Sequence, residues 1–156
     1  MNIADIAADP VNDVIVQEIT IKAPAERIFR ALTSPDELLQ WWASQGKFRA
    51  THVESDLQPG GKWMMRVEGS CAPGTSCTVV SGRYLEVAPP HLLIFTWLRE
   101  EEDDPETTVR WDLHEVDGCT TVRVTHSGLT TEKMRTRNGG WPLIQVLLQA
   151  YVEQHA

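Results

Sequence analysis

Short runs in which apolar and polar residues alternate recur along most of the chain and predict a β-sheet. The first run, VIVQEITI at Val14–Ile21, is rich in β-branched residues, which favour strands. Later runs of this kind are FRATHVES, GGKWMMRV, TVVSGRYLEV, HLLIFTWL, TTVRWDLHEV and CTTVRVTH. Brief turns separate them, including Asp117-Gly118, a dipeptide typical of tight hairpins. The pattern predicts an antiparallel meander of about six to seven strands.

The two faces of this predicted sheet differ in polarity. Successive side chains point to opposite faces of a strand, so residues of one parity share a face. One parity carries Trp63, Met65, Val67, Val80, Tyr84, Leu93, Phe95, Trp97, Val109, Trp111, Leu113, Val122, Val124 and His126. The other carries Lys62, Arg66, Arg83, Arg110, Asp112, His114 and Arg123. We therefore expect one face to lie on a core and the other to meet water.

Two short helices are predicted between the first strand and the rest of the sheet. In APAERIFRALT the apolar residues recur at helical spacing after a proline that suits the first turn. Ser34 begins a second helix, with Glu37 placed to complete a capping box. In that helix Leu38, Trp41 and Trp42 share one apolar face. We expect both tryptophans to fill part of the gap between the sheet and the C-terminal helix.

The end of the chain predicts a long helix. Its broad apolar stripe consists of Trp141, Ile144, Leu148, Tyr151 and Val152, widened by Leu143 and Leu147. Pro142 either starts this helix or kinks a longer one that begins near Glu132, and we favour the longer, kinked helix. The predicted fold is α+β: a curved antiparallel sheet that grips a long C-terminal helix, with two short helices after the first strand.

Five segments carry a family resemblance when they are taken in order. They are APAERIFRALTSPDELLQWW, LQPGGKWMMRV, GRYLEVAPPHLLIFTWL, TTVRWDLHEVDGCTTVRVTHSGL and NGGWPLIQVLLQAYV. Together they resemble the bacterial homologues of the activator of the heat-shock-protein-90 ATPase, in the START-like (SRPBCC) superfamily. The resemblance implies the helix-grip fold, whose members hold lipids, polyketides, hormones or other apolar molecules between sheet and helix. Some members are enzymes such as cyclases.

Composition and charge narrow the function classes. A length of 156 residues suits one domain, and we expect residues 1–12 to form a flexible arm and residues 13–156 a single START-like domain. A formal net charge of −8, without a Lys/Arg cluster, argues against nucleic acid as a partner. No apolar stretch is long enough to predict integral membrane association.

The cysteines predict a cytoplasmic location. Cys71, Cys77 and Cys119 are odd in number and form no CxxC pair, which is typical of a reducing compartment. A Cys71–Cys77 clip across the APGTS segment is the alternative. No pair of histidines has metal-ligand spacing, so no metal and no cofactor are predicted.

Large residues on the apolar face form the candidate ligand site. The predicted ligand-binding residues are Trp63, Met65, Tyr84, Phe95, Trp97, Trp111, His126, Trp141, Ile144 and Leu148. The alternative is that the aromatic residues only fill the core. His126 either orients a ligand or acts as acid or base, unless a backbone carbonyl or Ser127 satisfies it.

Three functions are compatible with these features. The favoured hypothesis is non-enzymatic binding of a small hydrophobic or aromatic ligand between sheet and C-terminal helix, with no catalytic residue assigned. The second is a cyclase- or hydrolase-type enzyme that uses His126 as acid or base. The third is a chaperone co-regulator or another protein-interaction module. A homodimer is the assembly to expect if the chain self-associates.

Overall fold

Eight strands and four helices form the part of the chain that the structure describes. The computed structural model describes residues 13–69, 77–100 and 105–155. The strands are β1 Val14–Ile21, β2 Ala43–Ser44, β3 Phe48–Ser55, β4 Lys62–Gly69, β5 Cys77–Ala88, β6 Leu92–Arg99, β7 Thr107–Val116 and β8 Cys119–Ser127. The helices are α1 Ala25–Thr33, α2 Pro35–Trp41, α3 Glu132–Arg137 and α4 Trp141–Gln154. The arm predicted for residues 1–12 and Cys71 of the Cys71–Cys77 clip lie outside the described residues.

The strands form one strongly curled sheet in the order β1-β8-β7-β6-β5-β4-β3-β2. Every neighbouring pair is antiparallel, and from β2 to β8 each strand pairs with the next one along the chain. The predicted meander and α+β class are therefore confirmed. The described sheet exceeds the predicted six to seven strands because β2, with only two residues, is too short to show a pattern.

A glycine lets β5 and β6 approach closely where the sheet bends. A Cβ at Gly82 would collide with the backbone carbonyl oxygen of Thr96, so only glycine fits there. The register of the β5–β6 pair shifts between Tyr84 and Glu86, which is a bulge. Because bulges increase the local bend of a sheet, this region helps to curl β4–β6 over the interior.

The predicted division between an apolar and a wet face is confirmed. The inward parity is buried at Trp63, Met65, Val80, Tyr84, Leu93, Trp97, Val109, Trp111, Leu113, Val122, Val124 and His126. The outward parity carries ion pairs such as Arg110–Asp112 and Arg123–Glu18. Alternation along the strands thus places one continuous core beneath the sheet.

Glu37 connects three helices instead of completing a capping box. The Ser34 side chain caps α2 as predicted, since its Oγ accepts from the Glu37 backbone N–H at 3.4 Å. The Glu37 carboxylate, however, accepts from Arg27 at 2.8 Å, Arg30 at 3.0 Å and the Tyr151 hydroxyl at 2.9 Å. These contacts tie α2 to α1 and to α4.

The prediction of one long, kinked C-terminal helix is wrong. Residues 138–140 separate α3 from α4, and Pro142 lies in the first turn of α4. Proline is favoured there because its missing N–H would have no partner within the helix. The buried Gln145 side chain then holds α4 to the sheet by donating to the carbonyls of Gln17 and Val122, both at 3.1 Å.

The two adjacent tryptophans at the end of α2 have different partners. Trp41 is buried and donates from Nε1 to the carbonyl of Ala31 in α1 at 2.8 Å. Trp42 is half-buried and meets Trp141, the first residue of α4, edge-on at a ring distance of 6.2 Å. Trp42 therefore fills the gap next to the C-terminal helix as expected, whereas Trp41 anchors α2 to α1.

Candidate functional site

Two neighbouring spaces lie beneath the curled sheet. The inner cavity has a volume of about 50 Å³ and is lined by Leu32, Leu38, Trp42, Val53, Glu54, Ser55, Trp63, Met65, Tyr84, Leu93, Phe95, Trp97, Trp111 and Trp141. The outer cleft has a volume of about 260 Å³ and is lined by Trp42, Phe48, Met65, Val67, Thr78, Val80, Trp97, Arg99, Arg137, Asn138, Gly140, Trp141, Leu143 and Ile144. They share the side chains of Trp42, Met65, Trp97 and Trp141, which form the wall between them.

The residues expected to bind a ligand divide between the two spaces. The inner cavity is lined by Trp63, Met65, Tyr84, Phe95, Trp97, Trp111 and Trp141. The outer cleft is lined by Met65, Trp97, Trp141 and Ile144. His126 and Leu148 are fully buried and line neither space. The structure thus brings eight of these residues to the cavities and places two in the packed core.

Aromatic rings fill most of the interior and leave the inner cavity small. The Trp97 ring lies 5.7 Å from Trp63 and 5.4 Å from Trp141, and Trp111 meets Trp141 edge-on at 5.8 Å. These spacings are those of favourable aromatic pairs. The inner cavity holds only a few water-sized molecules at its volume. Of these two spaces, only the outer cleft approaches the roughly 300 Å³ at which ligand pockets begin.

His126 is the central member of a series of buried hydrogen bonds. Trp141 donates from Nε1 to His126 Nδ1 at 3.1 Å, and His126 Nε2 lies 2.7 Å from the Thr107 hydroxyl. That hydroxyl donates its proton to the carbonyl of Trp97 at 3.2 Å. Thr107 must therefore accept from His126, which fixes the neutral tautomer with its proton on Nε2.

These hydrogen bonds occupy both ring nitrogens of His126, so neither is free to transfer a proton to a substrate. Burial, and to a smaller extent the positive charge of Arg99, lowers the pKa of His126 from 6.5 to about 4. The ring is thus neutral and engaged at both nitrogens. Its partners are the hydroxyl of Thr107 and an indole, not the backbone carbonyl or Ser127 expected as alternatives. Its effect is to orient Trp141, which lines both spaces.

An asparagine between α3 and α4 holds one wall of the outer cleft. Asn138 is buried, and its Oδ1 accepts from Trp97 Nε1 and from Arg99 Nε, both at 3.2 Å. Its Nδ2 donates to the carbonyl of Met134 at 2.9 Å, which fixes the amide. Arg99 also donates from Nη2 to the carbonyl of Arg137 at 3.2 Å. The Trp97 indole and the Arg99 guanidinium therefore share one anchor.

Sequence reasoning missed the polar residues of the outer cleft. Arg99 has the inward parity of Trp97, and this shared parity is the sequence signal that could identify it as a cleft residue. Arg137 and Asn138 fall inside the predicted long helix, where nothing in the sequence marks them as lining a cleft. The break before Pro142 is what turns these two residues toward the sheet.

The inner cavity has one polar end. There the Tyr84 hydroxyl and the Ser55 hydroxyl are 2.8 Å apart and hydrogen-bonded. Burial raises the pKa of Tyr84 above its ordinary value, although the bond to Ser55 opposes this. Tyr84 is therefore a neutral phenol whose hydroxyl already has a partner. In the described ranges, no three His, Cys, Asp or Glu side chains are grouped so that they could hold a metal ion.

A curled antiparallel sheet around a C-terminal helix, with an apolar cleft between them, defines the helix-grip class of proteins. Solved structures share this fold. A protein from Chromobacterium violaceum is 23% identical with a TM-score of 0.80, covering 91% of this chain and 98% of that one. An AHSA1 protein from Silicibacter pomeroyi is 22% identical with a TM-score of 0.76, covering 92% and 99%. An AHSA1-like protein from Aeromonas hydrophila is 21% identical with a TM-score of 0.71, covering 90% and 94%.

The chain belongs to the family described as Activator of Hsp90 ATPase homolog 1-like protein, whose model matches residues 22–153. The family resemblance carried by the sequence motifs is therefore confirmed. Membership of this family is consistent with a role as a ligand-binding or regulatory module. No curated protein is significantly similar to the chain. None of the helices in the described ranges is long and apolar enough to cross a membrane.

Proposed function

We propose that this protein binds a small apolar or aromatic molecule in the outer cleft without changing it chemically. The observation that carries this proposal is the cleft itself, about 260 Å³ between sheet and α4, with Trp42, Trp97 and Trp141 among its lining residues. A cleft lined mainly by aromatic and aliphatic groups, with a few placed polar groups, is typical of small-molecule sites.

The driving force would be burial of apolar ligand surface. Each 100 Å² of apolar area removed from water contributes about 2.5 kcal/mol. Two walls of the cleft are already fixed, since Asn138 holds the Trp97 indole and His126 holds the Trp141 indole. Such preorganisation reduces the entropy that binding must overcome. The volume favours a ligand at the small end of the range, about the size of a two-ring aromatic molecule.

Binding can be tested by calorimetric titration with 2-naphthamide, a neutral two-ring probe. We expect saturable binding with one site per chain. Leu143→Trp, at a half-buried position that lines the cleft, should weaken binding at least tenfold because the larger ring occupies ligand space. Val146→Trp is the matched control on the same helix, at a position 53% exposed and outside the cleft, and should bind as the wild type does. Equal affinities in the two variants would contradict the proposal.

The alternatives have less support. An enzyme that uses His126 as acid or base would need a free ring nitrogen facing a cavity, and both nitrogens are engaged in the core. The chaperone co-regulator role and the homodimer stay predictions. A pull-down with a chaperone tests the first, and light scattering tests the second.

A further inference from the structure

The inner cavity contains a buried hydrogen-bond donor without a partner. Trp111 lines this cavity and is 2% exposed, yet its indole N–H makes no hydrogen bond to any residue that the structure describes. The other buried tryptophans each donate from Nε1 to an acceptor: Trp41, Trp63, Trp97 and Trp141. A buried indole N–H usually has an acceptor, because leaving it unsatisfied is costly. Trp111 therefore marks a position for an acceptor atom that the described chain does not supply.

A second donor lies at the polar end of the same cavity. The hydroxyls of Ser55 and Tyr84 bring two protons to their hydrogen bond of 2.8 Å, which uses only one of them. Neither hydroxyl makes another hydrogen bond within the described ranges. Because burial raises the pKa of Tyr84, the phenol keeps its proton. Whichever hydroxyl donates to the other, one proton of the pair is left for a ligand.

The surroundings of these donors favour a small, neutral acceptor. A volume of about 50 Å³ admits a small group but not a ring. None of the described residues that line the cavity is a lysine or an arginine, the usual partners of an anion. The carboxylate of the lining residue Glu54 is exposed and lies 2.6 Å from His52 Nε2. A carbonyl oxygen fits these conditions, since it is uncharged and accepts two hydrogen bonds.

Two side chains of the wall between the spaces can move to admit such a group. The wall consists of four side chains, and those of Trp97 and Trp141 are held by buried hydrogen bonds. Trp42 is half-buried, and its indole N–H makes no hydrogen bond in the described part of the chain. Met65 is unbranched and adapts its shape readily. A group that enters the inner cavity from the outer cleft therefore passes between Trp42 and Met65.

Resting on the proposed function, we propose that the ligand is a neutral carbonyl compound whose ring system lies in the outer cleft and whose carbonyl reaches the inner cavity. The carbonyl oxygen accepts from the Trp111 indole N–H and from the Ser55–Tyr84 pair. The ring system lies against Trp97 and Trp141. Binding thus satisfies donors that the described chain leaves without acceptors, which adds selectivity to the burial of apolar surface.

The hydroxyl pair is tested with 2-acetonaphthone and 2-isopropenylnaphthalene, which have nearly the same shape but carry a ketone and an alkene. Water solvates the ketone better, so the test is the change that each variant makes in equilibrium dialysis. Ser55→Ala/Tyr84→Phe should weaken binding of the ketone by about fivefold and change binding of the alkene less than twofold. The double variant is required because either hydroxyl alone can still donate. Thr125→Val removes a hydroxyl from the outer face of β8 and should leave both affinities unchanged.

Trp111 is tested by NMR of the wild type with isotope-labelled indole nitrogens. When 2-acetonaphthone binds, the Trp111 indole proton should move further downfield than when 2-isopropenylnaphthalene binds, because only the ketone accepts a hydrogen bond. The alkene probe corrects for the ring current that both probes exert. Trp41, whose N–H already donates to the carbonyl of Ala31, is the internal reference. Trp111→Phe assigns the signal.

The outcomes separate this inference from the proposed function. Equal changes for the two probes in the double variant would overturn the carbonyl inference and leave the outer cleft in place. The same holds if both probes shift the Trp111 signal equally. Binding of neither probe would overturn both the inference and the proposed function. A thermal melt verifies folding of the double variant, and the NMR test on the wild type is decisive if that variant does not fold.

Discussion

At the scale of single residues, His126 shows what alternation can and cannot predict. Its inward direction follows from the parity it shares with Val122 and Val124. Its role could not be predicted, because its partners Thr107 and Trp141 lie 19 and 15 residues away and meet it only in the folded chain. A residue expected to face a ligand is instead a neutral link that positions one wall of the cleft.

The neutral state of His126 should make stability depend on pH. The pKa falls from 6.5 in the unfolded chain to about 4 in the folded one, so the unfolded chain binds the extra proton first as pH falls. The free energy of unfolding therefore keeps its full value above pH 6.5. It falls by about 3 kcal/mol in all as the pH drops from 6.5 to 4.

The measurement is urea unfolding of wild type and His126→Gln at several pH values from 7.5 to about 4. The carboxylates titrate in both proteins, so the difference between the two curves isolates the histidine. We expect the wild type to lose more stability than the variant over this range. Parallel curves would show that His126 is not buried in its neutral form.

At the scale of elements, the strands were predictable and the C-terminal helix break was not. A strand pattern repeats every two residues and survives in short segments, so the bounds of most strands follow from the sequence. The apolar stripe of α4 is equally clear, but Pro142 is compatible with either a helix start or a kink. The choice depends on Asn138, which ends α3 through contacts with Met134 and the distant Trp97.

The position of Pro142 predicts a small effect of its replacement. In the first turn of α4 no hydrogen bond within the helix is lost to proline, so Pro142→Ala should change the free energy of unfolding by less than about 1 kcal/mol. Val146→Pro, at an exposed position inside the same helix, should cost about 3 kcal/mol or more. Urea unfolding of both variants is the measurement. A large loss in Pro142→Ala would mean that the proline supports a bend in a continuous helix.

At the scale of the whole molecule, the sequence predicts the architecture but not the volume of its interior. The alternation of apolar and polar residues determines that a sheet closes over a helix. The space left between them depends on how large side chains interlock, and here the tryptophans reduce the inner cavity to about 50 Å³. The candidate site therefore lies further toward the start of α4 than the predicted residues alone imply.

A buried amide helps to attach α4 to the sheet. Gln145 is 2% exposed and bonds to carbonyls of β1 and β8. Gln145→Ala leaves both carbonyls without this donor and should lower the free energy of unfolding by about 1–3 kcal/mol. Gln149→Ala removes a similar but exposed bond to Thr20 and should cost less than about 1 kcal/mol. Equal losses in urea unfolding would show that burial of the amide is unimportant.

The contacts of Glu37 have a consequence for the route by which a ligand reaches the outer cleft. One carboxylate accepts from Arg27, Arg30 and Tyr151 and so holds α1, α2 and α4 together. Trp42 lies at the C-terminal end of α2, one of these three helices. We therefore expect a ligand to enter on the side of strands β3–β5, where the half-buried Phe48, Val67 and Thr78 line the cleft.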